Sequence, residues 1–153
     1  MVLRALQTFL KNPAPTRTEA AGALRTLFAL AFGGQALLAG LAWAGLGVVL
    51  EPEPTGPLTA QVLVGLAVLE LPVVLALGTF TARGKKQPGA LAAALLEGVL
   101  LATPLLYALF AWLIGSPVLY PALLAGSAAL FYGLGVLAVA RHAAGATERT
   151  AQG

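Results

Sequence analysis

The chain has 153 residues, 59% of them apolar and only 10% charged, with a mean hydropathy of +0.88. Soluble domains carry about 25% charged residues, so this chain has too little charge to cover a water-facing surface and too much apolar surface for intrinsic disorder. The absence of cysteine and the presence of one histidine, His142, exclude disulfides, thiolate or histidine metal clusters and iron–sulfur centres, and no cofactor or metal is expected.

Residues 1–17 read as a polar-sided entry segment. Within it Val2, Leu3, Leu6, Phe9 and Leu10 share one helical face opposite Arg4, Gln7, Thr8 and Lys11, which predicts a short amphipathic helix lying in the membrane interface. Asn12-Pro13-Ala14-Pro15 ends it, and Thr16-Arg17-Thr18-Glu19 has the spacing of a capping box that opens a long helix. The transmembrane domain is expected over residues 18–142, with spans at about 26–50, 58–82, 89–116 and 118–140. Each stretch is long enough for a hydrocarbon core of about 30 Å. Between the first two, Glu51-Pro52-Glu53-Pro54-Thr55-Gly56-Pro57 cannot be helical, because its prolines remove donors and block the preceding turn. Arg83 to Gly89 and Gly115-Ser116-Pro117 are the other breaks. Residues 143–153 are expected to be a disordered tail. The fold class is therefore an all-α bundle of four transmembrane helices.

The basic residues decide the expected orientation. Arg4, Lys11, Arg17 and Arg25 precede the first span, Arg83, Lys85 and Lys86 follow the second, and Arg141 and Arg149 follow the fourth. All fall on one side of a four-span arrangement, which predicts both termini in the cytoplasm of a bacterial-type cytoplasmic membrane. The cations form no stripe with interleaved aromatics, so the pI of about 9.7 brings no expectation of nucleic acid.

Two glutamates fall inside spans, where an ionisable side chain is costly and marks a functional site by default. Counting inward from the basic boundary at about 1.5 Å per residue, Glu70 lies about 20 Å deep and Glu97 about 17 Å. Gln35 and Tyr132 lie at about 15 Å and 14 Å on the other two spans. The four residues form a candidate polar layer for proton exchange. If the two carboxylates meet, their repulsion and the lack of water favour a bound proton. Protonated glutamates also serve simply to hydrogen-bond helices together. Pro72 and Pro104 are expected kinks. Three rows of small residues suit close helix packing: Ala36, Gly40 and Ala44; Ala90 and Ala94; Ala129 and Gly133. Trp43, Trp112 and Tyr120 are expected interfacial anchors, with His142 beside Arg141 at the opposite interface.

Matching triplets, Gly22-Ala23-Leu24 and Gly89-Ala90-Leu91, open the two helical hairpins, and Ala42-Trp43 returns as Ala111-Trp112. A parallel repeat and a chance match between leucine- and alanine-rich helices both remain open. The hairpin from Val62 to Ile114 is similar in outline to the proteolipid subunit of rotary ATP synthases. Glu97, however, stands too early in its helix for that family, Glu70 is on the wrong helix, and only Gly65 and Gly78 stand where a glycine ladder belongs. The family is not assigned.

No nucleophile–histidine set or phosphate loop is visible, so the expected role is non-enzymatic. The first expectation is a small subunit or accessory protein packed in the bilayer against other membrane proteins or itself. The alternative is a proton-coupled small transporter or channel that uses Glu70 and Glu97.

Overall fold

The computed structural model describes residues 7, 11, 12, 15–84 and 87–151. The amphipathic helix expected before Lys11 and the lysine pair of the second connection lie largely outside these residues. The described chain is all-α. Its helices are α1 (Arg17–Val49), α2 (Leu58–Gly84), α3 (Gln87–Leu100), α4 (Thr103–Leu113) and α5 (Leu119–Ala151). Four helical stretches are long and apolar enough to cross a membrane, with α3 and α4 together forming the third.

Local chemistry explains the helix ends. Thr16 caps α1: its Oγ1 accepts from Glu19 N–H at 3.3 Å, while Glu19 Oε2 accepts from Thr16 N–H at 2.8 Å. This is the capping box expected from the sequence. The break between α3 and α4 traces to Pro104, which has no N–H to offer Leu100 and whose ring crowds the preceding turn. The chain tightens there, with Ala102 N–H donating to Val99 O at 3.3 Å and Leu105 N–H to Ala102 O at 3.0 Å. Pro72 behaves differently: it faces outward and α2 runs through it without interruption.

Packing separates the four spans by role. Half of the third span's apolar window is buried inside the bundle, against 17% for the first and 22% for the second. The third and fourth spans adjoin each other, while α1 and α2 flank them without substantial contact between themselves. The proline-rich connection from α1 to α2 therefore crosses the end of the bundle rather than making a tight turn. It is held by Thr55 N–H donating to Gly115 O at 2.9 Å and by the Thr55 hydroxyl on Ile114 O. Gly115 adopts φ +66°, and a Cβ there would also collide with Glu53 O, so only glycine fits.

α5 continues to Ala151, well past the span boundary at 140, so residues 143–151 are helix rather than the expected disordered tail. The cause is burial. Ala143 and Ala146 belong to the same apolar cluster as Ala20, Ala23 and Leu24 of α1, and this contact carries the helix beyond Arg141. Trp43 and Trp112 stack at the other end, with ring centroids 5.7 Å apart.

Candidate functional site: a buried carboxylate–imidazole pair

Glu97 projects from α3 into the densest part of the bundle and is 0% exposed. Its Oε1 lies 2.9 Å from Nε2 of His142 on α5, which is 7% exposed. The backbone of α2 closes the third side: a Cβ on Gly78 would collide with Glu97 Oε1. Gly78 thus makes a notch that receives the carboxyl group. Close approaches at Gly98, against Phe28 and Ala31 of α1, and at Gly135, against Phe28 and Leu101, bring the surrounding helices together. Glu97 Oε2 is buried and has no hydrogen-bond partner.

The chemistry of this pair differs from that of a lone acid. With one proton between them, the pair is electroneutral whether it is written as carboxylate with imidazolium or as carboxylic acid with imidazole. A single shared proton therefore removes most of the cost of burying charge in hydrocarbon. A further proton gained or lost would leave a net charge in the dry core. Two side chains fall short of a metal site of the usual three or more ligands, and no larger His/Cys/Asp/Glu cluster occurs among the described residues.

Glu70 stands elsewhere. Glu97 reaches α2 at Gly78, eight residues beyond Glu70, or about 12 Å along the helix. The two carboxylates that sequence depth would let meet are thus separate. Glu70 is half-buried, its Oε2 is without a partner, and the hydroxyl of Tyr107 on α4 lies within interacting reach. Further toward the Glu51 end, Gln61 Nε2 donates to Tyr120 Oη at 3.1 Å.

The rest of the candidate layer does not join either group. Gln35 is half-buried and has no side-chain hydrogen bond among the described residues. Tyr132 is 39% exposed, and its ring packs on Phe32 and Phe28 at 5.1 and 5.6 Å between centroids. Among the small residues, Ala90 and Ala94 are fully buried. Gly40, Ala44, Ala129 and Gly133 face outward, with Ala36 half-buried, and a Cβ on Gly40 or Gly133 would meet nothing.

His142 is the residue that sequence reasoning placed wrongly. Beside Arg141 it looked interfacial, yet α5 turns Arg141 outward and His142 inward, about 100° apart on the helix. No signal in the sequence pointed to it: counted along the helices, His142 stands at the basic boundary beside Arg141, whereas Glu97 stands about 17 Å inside it.

The pair also has access to the basic end. A cavity of about 350 Å³ between α2 and α5 is lined by Thr79, Arg83, Arg141 and His142 together with apolar side chains. No family model matches the chain, and no curated protein or solved structure matches it either.

Proposed function

We propose that this small membrane protein handles protons within the bilayer, as a proton-coupled transporter or a proton channel, with Glu97 and His142 as its central proton-holding pair. The observation that carries the reading is the 2.9 Å contact between two ionisable side chains in a core otherwise built of alanine, leucine, valine and phenylalanine. Packing alone does not call for such a pair, because apolar side chains of similar volume fill a bundle core at least as well. The cavity at His142 supplies a route from the basic end, which the positive-inside pattern orients toward the cytoplasm. Glu70 and Tyr107 would form a second station nearer the opposite face, about 12 Å along α2 from the point where Glu97 meets Gly78. The proposed activity is translocation, without a chemical transformation.

The test is proton flux into vesicles carrying the purified chain, driven by a potassium diffusion potential and read with an entrapped pH dye. Glu97→Gln and His142→Gln each remove one titrating partner while keeping hydrogen-bonding capacity, and each should lower flux at least tenfold in folded protein. Flux indistinguishable from wild type in both variants, or wild-type flux no greater than in protein-free vesicles, sinks the proposal.

A second reading is an accessory subunit that packs against another membrane protein. The outward-facing Gly33, Gly40 and Ala44 favour it, because they leave α1 a shallow surface on which a further helix can lie closely. A stoichiometric foreign subunit in particles extracted with mild detergent would establish that reading, and a homogeneous particle of this chain alone would remove it.

A further inference from the structure

The cavity beside His142 has a second property that proton traffic does not require. It pairs two guanidinium groups, Arg83 at the end of α2 and Arg141 on α5, with an apolar wall that includes Leu75, Leu134 and Leu137. Neither arginine has a carboxylate partner among the described residues, where the sole ion pair is Glu97–His142. Leu137 is 59% exposed, so the wall continues onto the outer surface of the bundle that lipid covers. Arg141, Leu137 and Gly145 also border an adjoining groove that runs to Arg17 at the start of α1. Arg83 and Arg141 thus line a half-enclosed space where the apolar spans meet the basic end, with Arg17 on the adjoining groove.

We propose that this cavity is a binding site for the head group of an anionic phospholipid, with the phosphate held between Arg83 and Arg141 and the glycerol and upper acyl carbons against the leucine wall. Guanidinium groups suit phosphate because their planar N–H forks can engage two oxygens at once. Basic pockets between transmembrane helices on the cytoplasmic side are natural receptors for such head groups. A free anion would match the arginines equally well but would leave the leucine wall unused. The wall is the reason for assigning a lipid. A lipid phosphate held there stands next to the buried pair, so occupancy would place negative charge beside His142.

The site can be tested on the full chain, delipidated in detergent and titrated with phosphatidylglycerol or phosphatidylcholine, with bound lipid counted by native mass spectrometry. Wild-type protein should retain phosphatidylglycerol and discriminate against phosphatidylcholine, a comparison that needs no substitution. Arg83→Gln with Arg141→Gln should weaken phosphatidylglycerol binding roughly 30-fold, the size expected for two lost cation–phosphate contacts. The same charge change at Lys11→Gln with Arg25→Gln should leave it within about twofold. Ala138→Phe, which fills the cavity while keeping both arginines, should weaken binding as well; helical circular dichroism and a monodisperse elution profile accompany each variant. Equal retention of the two lipids, equal weakening by the control pair, or full affinity in Ala138→Phe would each overturn the site. Inorganic phosphate that competes as strongly as phosphatidylglycerol would replace the lipid with a free anion and overturn the assignment.

Discussion

Glu97 and Glu70 are the same residue type on neighbouring antiparallel helices, both well inside the apolar spans, and the bundle treats them differently. Glu97 is sealed by three helices: its own, α5 with His142, and α2 with the notch at Gly78. Glu70 stays half-buried on α2, with the Tyr107 hydroxyl in reach. Depth alone therefore does not define an intramembrane carboxylate. Its partner does, because a shared proton makes a buried pair neutral, whereas a single acid needs its own proton or some contact with water.

The largest expected effect comes from breaking the pair. His142→Ala leaves Glu97 buried without its partner and should cost about 3–5 kcal/mol in unfolding measured in mixed micelles. Glu70→Ala removes a less buried contact and should cost about 1 kcal/mol. Equal losses at the two positions would erase the distinction between them.

A smaller effect sharpens the role of the notch. Gly78→Ala puts a methyl group where Glu97 Oε1 sits, and displacement of the carboxyl group should cost about 1–3 kcal/mol. Gly40→Ala meets open space and should be neutral within about 0.5 kcal/mol. The same unfolding assay reads both.

Glu19 provides the exposed reference and the smallest effect. Backbone and side-chain hydrogen bonds from Thr16 hold its carboxyl below the ordinary value of 4.5. Because the folded form has the lower pKa, the capping box contributes fully above the unfolded value and loses its contribution as the pH falls through the folded one. Protection factors of the amides in the first turn of α1, taken relative to intrinsic exchange at each pH, should therefore fall on acidification below about pH 4.5. An unchanged protection pattern there would remove the cap's electrostatic component.

The parts of this fold that were readable in the sequence are those set by neighbours along the chain. The proline run from Pro52 to Pro57 and the Thr16–Glu19 cap depend on residues within one or two turns. Pro104 and Pro72 already show the limit: two prolines inside spans, of which only the buried one interrupts its helix. The small residues show it again. Gly40 and Gly133 looked like packing positions, whereas the close approaches occur at Gly78, Gly98 and Gly135.

The sequence by itself determined four apolar helices, their antiparallel order and the gathering of cations at one end. Each follows from the length of apolar chain that a bilayer requires and from charges that cannot enter it. Only the tertiary structure decided that Glu97 meets His142, 45 positions away, and that Arg83 and Arg141 share a cavity. The physical reason is that these helices are apolar nearly all round. A soluble helix announces its inner face by its polar one, but lipid accepts any face of these, so hydropathy leaves their rotation open. The notches and alanines that let one face approach another more closely fixed that rotation, and with it the site.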